Sequence, residues 1–336
     1  MNEQLDDLLK HTSRSLYLSA RLFPPQTRDV FSVAYLLCRY ADSIADTTLL
    51  PPEKRLQWIV QFPQLIWQPE EQKWQQLVKE ISSSLTNPYE EKLLRNFSLC
   101  LQAFHALKPT QKQLIMTVVQ AVCKGMQIDL QTFPSEESGQ LRALEQAENL
   151  ENYCHYMGGA PGIFWSELIL SSSEVSLDKK AFLQLGQDIG DGLQIVNILR
   201  DLPQDLHIGR CYFPQTDLQE QKLSVADLLN PQNSERFEPI KQKWIEWGRK
   251  KLQSAYAYFA AIPKTQPRYR AAMAWPVLWA ADNLNKLEQE KHLLDPKHRV
   301  KISRYRIYGT MLVTPPLLLC NSLFNSWLKH KLTVGK

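Results

Sequence analysis

Gln194-Ile195-Val196-Asn197-Ile198-Leu199-Arg200-Asp201-Leu202-Pro203-Gln204-Asp205 reads as a helix with one polar edge. Gln194, Asn197, Asp201 and Asp205 follow spacings of 3, 4 and 4, which at about 100° per residue draws a single stripe. Leu193, Ile195, Val196, Ile198 and Leu199 occupy the remaining faces, so the segment belongs in a helical core. Oxygen-bearing side chains in a stripe suit a hard cation. A hydrogen-bonded polar seam or a solvated face would produce the same spacing. Pro203 lacks the N–H that would bond to Leu199, so the helix is expected to break there and leave Asp205 just past its end.

A second acidic cluster, Asp42-Ser43-Ile44-Ala45-Asp46, lies far upstream in another apolar run carrying Val30, Phe31, Val33, Ala34, Tyr35, Leu36 and Leu37. Asp42 and Asp46 are four apart and share a helix face, with Arg39 one turn before. Carboxylates in an apolar helix are costly unless a cation neutralises them. Facing each other, the two clusters would hold a set of Mg²⁺ ions, and those ions a diphosphate. Arg14, Arg39, Arg200, Arg210 and Arg299 offer planar, permanently charged forks for phosphate oxygens, although surface arginines are common.

Composition supports an all-α chain. There are only 12 glycines in 336 residues, Leu, Gln, Ala, Lys and Glu are plentiful, and no repeat or succession of alternating strands occurs. A net charge of +4 without a basic, aromatic-interleaved tract excludes nucleic acid as a natural partner. Six scattered cysteines without Cys-x-x-Cys argue against zinc or redox motifs. The acidic Met1–Asp7 stretch is no secretory signal, so a reducing, cytoplasmic location is expected, with membrane association left open.

Along the chain, helices are expected over 3–20, 28–47, 53–85 (one or two), 89–108, 110–131, from near Leu141, over 179–202, 233–261 and 267–290. Tyr153 to Gly162, with Gly158, Gly159, Pro161 and Gly162, should bend or thin a helix. Gly209 to Pro214 reads as a loop. No linker marks a boundary, so one helical domain over 1–305 is expected, followed by an apolar C-terminal helix over 306–336. That tail is interrupted by Thr314-Pro315-Pro316 and is marginal against the roughly 20 apolar residues of a span. A last core helix or peripheral membrane contact fits it better.

Five segments together resemble the squalene/phytoene synthase family, most closely its bacterial squalene-forming members. They are Ser13-Arg14-Ser15, Cys38-Arg39-Tyr40-Ala41-Asp42-Ser43-Ile44-Ala45-Asp46, Tyr153-Cys154-His155-Tyr156, Gln194 to Asp201, and Gly209-Arg210-Cys211-Tyr212-Phe213-Pro214. The resemblance implies a single isoprenoid-synthase domain with a central cavity, in which two isoprenyl diphosphates are joined head to head. It implies that Asp42, Asp46, Asp201 and Asp205 bind Mg²⁺. Ser13, Arg14, Arg39, Gln194, Asn197, Arg200, Arg210 and Arg299 would meet the diphosphate. Tyr153 would stand near the departing diphosphate and Tyr35 near the reaction centre. Arg299-Val300-Lys301-Ile302-Ser303-Arg304 resembles the segment with which squalene synthases hold NADPH, with Lys301 and Arg304 as its cations. A basic turn would read the same way, and the absence of Gly-x-Gly-x-x-Gly excludes a Rossmann site.

Leu16 stands where the family often has Phe, and Met157-Gly158-Gly159-Ala160-Pro161-Gly162 replaces Val-Ala-Gly-x-Val-Gly. Both departures are expected to line the hydrocarbon cavity and affect chain length. Phe164, Trp165 and Trp275 could face a carbocation, but read first as core. The expected reaction is squalene formation from two farnesyl diphosphates through presqualene diphosphate, by a monomer using Mg²⁺ and NADPH. Dehydrosqualene or phytoene synthesis without reductant is the near alternative. A non-catalytic assembly protein and a tail-anchored lipid-binding module are the readings from other classes.

Overall fold

The computed structural model describes residues 3–13, 15–81, 88–133 and 136–333. The chain divides into two compact units, residues 1–135 and 136–336. In the first, α1 (Glu3–Thr12) buries Leu5, Leu8 and Leu9. The single helix expected over 3–20 is two, because α2 (Ser15–Ala20) begins anew. At the junction the Ser13 hydroxyl donates to the Leu9 carbonyl at 2.5 Å.

Helix α3 (Pro25–Ala45) begins with proline, whose fixed φ and missing N–H suit a first turn. It buries Val30, Phe31, Ala34, Leu37, Ala41 and Ile44. Then follow α4 (Pro52–Trp67), α5 (Glu71–Ile81), α6 (Pro88–Arg95), α7 (Phe97–His105) and α8 (Pro109–Thr132). The helix expected over 89–108 is thus also two, divided at Asn96, whose side chain donates to the Lys92 carbonyl at 2.6 Å. α3 packs on α4, α7 and α8. Trp74 stacks on Phe97 with centroids 3.8 Å apart, and its indole donates to the Leu94 carbonyl at 3.0 Å, satisfying the one polar atom of a large buried ring.

The second unit opens with a strand where a helix near Leu141 was expected. β1 (Arg142–Leu144) pairs in parallel with β2 (Arg210–Pro214), Arg142 opposite Arg210 and Ala143 opposite Cys211. Gly209–Pro214 is therefore largely strand and not loop. A three-residue partner distant in sequence gives no periodicity to read. α9 (Ala147–Cys154) runs through a π-helical turn (His155–Gly159) into α10 (Ala160–Leu170). α11 (Lys179–His207) is the longest helix and packs on α10, α13, α14 and α15. After it come α12 (Gln215–Glu220), α13 (Ser234–Gln253), α14 (Ala255–Ala261) and α15 (Pro267–Gln289), so the helix expected over 233–261 is also divided.

Glycines fix how closely α11 meets the π turn and α10. A Cβ on Gly162 would fall 2.1 Å from the Gly186 carbonyl oxygen, and one on Gly190 2.1 Å from that of Gly158. Gly158 and Gly162 therefore serve backbone contact with α11, not the cavity lining expected of them.

The tail is two helices, α16 (Arg304–Leu317) and α17 (Asn321–Thr333), not one. Both pack on α15. Phe324 meets Phe259 edge-on with centroids 4.9 Å apart, and Lys331 Nζ reaches the buried Asp282 at 2.5 Å. Among the described residues, no helix is long and apolar enough to cross a membrane.

All six cysteines are free. Burial pushes the Cys38 and Cys211 thiols up to about 12, and also raises Cys100, Cys123 and Cys154. Thiolate, not thiol, is the nucleophile. Iodoacetamide in mildly alkaline buffer should therefore label the native protein at Cys320 and spare the other five, with all six reacting after unfolding. Peptide mass spectrometry checks this.

Candidate active site

In the first unit, Asp42 lies in the last turn of α3 and Asp46 is its C-terminal cap, still in helical conformation. The two therefore keep a common face. Neither is buried: the Asp42 side chain is 33% exposed and Asp46 is exposed. The cost of burial argued from sequence does not apply; these carboxylates occupy the accessible strip of an otherwise buried helix. Arg39 donates to Asp42 through Nη1 and to Glu90 of α6 through Nη2. Burial pulls the Arg39 guanidinium down, but Asp42 and Glu90 outweigh it, so it is held above its usual range.

Tyr35 lies two turns upstream on α3, its hydroxyl donating to the Thr12 carbonyl at 2.9 Å. Ser13 is buried at the end of α1. Arg14 lies outside the described residues. Glu90 carried no motif; only the packing of α6 on α3 identifies it.

In the second unit, α11 continues through Pro203 to His207, so Asp205 lies within the helix and not past a break. Leu199, Leu202, Pro203 and Leu206 are all buried. Burying each such side chain is worth about 1.5–3 kcal/mol, enough to outweigh one lost backbone bond. The stripe is as drawn from spacing: Gln194, Asn197, Asp201 and Asp205 are half-buried, while Ile195, Val196, Ile198 and Leu199 are buried. Asn197 Nδ2 donates to Gln194 Oε1 at 3.4 Å. Arg200 donates to both carboxylate oxygens of its neighbour Asp201, Nε to Oδ1 at 2.9 Å and Nη2 to Oδ2 at 2.5 Å.

Arg210, on β2, reaches Glu136 at 3.3 Å. Tyr153 stacks on Tyr212 of β2 with centroids 4.6 Å apart, and their hydroxyls are 3.3 Å apart. Tyr153 sits at the last turn before the π segment, a device often found beside functional sites. Phe164, Trp165 and Trp275 are core residues, 5, 6 and 6% exposed. Arg299, Lys301 and Arg304 are exposed in and around the segment leading into α16.

A profile described as Squalene/phytoene synthase matches residues 9–306. The chain belongs to the squalene/phytoene synthase family. Squalene synthase ERG9 of Saccharomyces cerevisiae is 25% identical over 229 residues, 68% of this chain and 49% of that protein. A bifunctional lycopene cyclase/phytoene synthase of Arthroderma gypseum is 28% identical over 244 residues, 71% of this chain and 39% of that protein. The chain thus matches about half or less of these curated relatives' length. The structure of TcSQS in complex with BPH1237 overlays on 99% of this chain and 98% of that one, with a TM-score of 0.77 at 18% identity. The all-α fold of this squalene/phytoene synthase family member is therefore that of a squalene synthase structure.

Sequence reasoning passed over one group in this family member. Asp191 is buried on α11 and receives Lys251 Nζ at 3.0 Å, while Lys251 also reaches Asp188 at 2.9 Å. Burial raises the Asp191 carboxyl, with Lys251 and His155 opposing the shift. Asp188 and Asp191 stand three apart, a spacing that does signal one face. Their lysine, 60 residues away from Asp191, carried no signal.

Among the described residues, no three acidic, histidine or cysteine side chains form a metal-binding group. Mg²⁺ is commonly held by one or two carboxylates together with substrate phosphates. The accessible, all-oxygen pairs Asp42/Asp46 and Asp201/Asp205 fit that habit.

Proposed function

We propose that this protein condenses two farnesyl diphosphates head to head into presqualene diphosphate and rearranges it to squalene with hydride from NADPH. The polar stripe of α11, within a chain matched by the family from 9 to 306, carries this reading. Mg²⁺, held by Asp42 and Asp46 and by Asp201 and Asp205, would supply the positive charge that lets diphosphate depart.

The protein's own groups do the rest. Arg39, Arg200 and Arg210 each already face a carboxylate, so each presents an ordered guanidinium for phosphate oxygens at little further entropic cost. Ser13, Arg14, Gln194, Asn197 and Arg299 would complete the diphosphate contacts. Tyr153, its ring fixed against Tyr212, can turn a π face toward a cation. Tyr35, tied through its hydroxyl to Thr12, offers a second positioned ring. Exclusion of water protects the carbocation from capture. Lys301 and Arg304, both exposed cations, would hold the dinucleotide phosphates, and bound NADPH would supply the hydride.

A second reading is supported by the phytoene synthase relatives, whose 28% identity is comparable to the 25% of the yeast squalene synthase. In that reading the product is dehydrosqualene, or phytoene from twenty-carbon substrates, with no reductant used. One assay separates them. The protein is incubated with farnesyl diphosphate and Mg²⁺, with and without NADPH, and the products are identified by mass spectrometry. Squalene only with NADPH is the expected result. Dehydrosqualene under both conditions favours the second reading, and folded protein yielding no thirty-carbon product from farnesyl diphosphate, nor phytoene from geranylgeranyl diphosphate, rejects both.

A further inference from the structure

An open cavity of about 460 Å³ lies in the first unit, among α1, α2 and the first turn of α3. None of its lining residues belongs to a motif singled out in the sequence. Arg28, in its wall, and Asp42 share α3 and stand about 21 Å apart along the helix axis. The cavity is therefore at the far end of α3 from the Asp42/Asp46 pair.

The carboxylates that line it already have something to meet. Asp7 reaches Lys92 Nζ at 2.7 Å, and that contact holds the Asp7 carboxyl below its usual range. Asp6 accepts the Tyr17 hydroxyl at 3.1 Å. Glu3 lies in the first turn of α1, where the positive end of the helix favours an acid. The cations are not matched in this way. Among the described residues, Lys10, Arg21 and Arg28 form no ion pair with a carboxylate. Arg28 Nε is buried without a hydrogen-bond partner, a state that buried polar atoms seldom keep. Arg21 stands over the Tyr17 ring, 5.9 Å from its centroid. Burial and the bond to Asp6 raise the Tyr17 hydroxyl above its usual range, so it stays protonated and able to donate.

We propose that this cavity binds a small phosphate-bearing anion, apart from the reaction centre. Arg21 and Arg28 would present guanidinium forks to its oxygens and Lys10 a point charge. The anion would supply the negative charge that these three cations lack. Phosphate suits the cavity better than a carboxylate does. Its tetrahedral oxygens can meet donors arriving from α1, from the end of α2 and from α3 together, whereas a planar carboxylate fills a single fork. The cavity is roomy enough for a phosphate monoester as well as for free phosphate. None of the groups assigned to the reaction lines it, so this site stands or falls separately from the function proposed above, and its test needs no turnover.

The full chain is titrated calorimetrically with inorganic phosphate, with glycerol 3-phosphate and with succinate, a dianion carrying only carboxylates. EDTA keeps the acidic pairs free of metal. Saturable binding of both phosphates is expected, one per chain and weaker as salt rises. Tighter binding of glycerol 3-phosphate identifies an ester as the ligand, and tighter binding of phosphate the free anion. The double variant Lys10→Gln/Arg21→Gln should bind at least about tenfold more weakly. Both side chains are exposed, so its melting temperature should match the wild type. Arg28→Gln should weaken binding similarly. Lys112→Gln/Lys124→Gln on α8, which removes as much charge elsewhere, should bind as the wild type does. The proposal is overturned if the wild type binds neither phosphate, or binds succinate more tightly than both. It is equally overturned if the α8 variant loses as much affinity as the cavity variant, which would leave only general surface charge. Loss of binding in Arg39→Gln with retention in the cavity variants would place the anion at the reaction centre and overturn it too.

Discussion

Asp201→Asn is expected to lower turnover of farnesyl diphosphate by about 10²–10³-fold, without loss of fold. The substitution keeps the shape and removes the charge that, in the proposed function, would hold an Mg²⁺–diphosphate unit at the α11 stripe. A neutral amide binds a hard divalent cation poorly, and diphosphate departs only as its developing charge is neutralised. Stability should barely move. The bond being lost joins Asp201 to its neighbour Arg200, and both side chains are about a third exposed, 34 and 31%, where such pairs contribute about 0–1 kcal/mol. Steady-state kinetics across an Mg²⁺ titration, alongside thermal melting, measures both effects. Asp42→Asn should behave alike. Retention of most activity in both variants, with Mg²⁺ dependence unchanged, would defeat the metal assignment; unchanged biological function without any turnover would favour the non-catalytic assembly protein.

The largest expected effect on stability comes from Gly190→Val. The first atom added would stand 2.1 Å from the Gly158 carbonyl oxygen and 3.0 Å from the Gly159 Cα. Neither is the end of a flexible side chain, so the π turn and α11 must separate. Overpacking of this kind costs about 1–3 kcal/mol even where side chains can give way, and here backbone meets backbone, so about 3 kcal/mol is expected, read as a lowered denaturant midpoint. The displaced segment carries His155 and Tyr156 and abuts Tyr153, so the Tyr153–Tyr212 stack should loosen too. A variant as stable as wild type would show that the helices can part at no cost.

Much of this was legible beforehand because it depends on local pattern. The α11 stripe follows from spacing alone, since a helix converts separations of three and four into one face whatever surrounds it. The same rule placed Asp42 and Asp46 together. Two of the misreadings share one cause, which is competition between local preference and distant partners. Pro203 argued for a helix end, and the burial of Leu202 and Leu206 overrode it. Arg210–Pro214 looked like loop because its partner, Arg142–Leu144, lies far away in sequence and is too short to show alternation. The divisions near Ser13 and Asn96 leave no mark in the periodicity.

By itself the sequence determined that this is an all-α chain of the squalene/phytoene synthase family, and which oxygen-bearing residues share a helix face. The family shows in the resemblance of five segments; the helical class and the shared faces are properties of composition and spacing, which a helix expresses without outside help. Only tertiary structure decided which partners those residues have: Glu90 for Arg39, Glu136 for Arg210, Tyr212 for Tyr153. It alone also decided that threonines of α16 face inward and tyrosines outward. Which side of a helix meets protein is set by the neighbours available to bury it, and that information is not local.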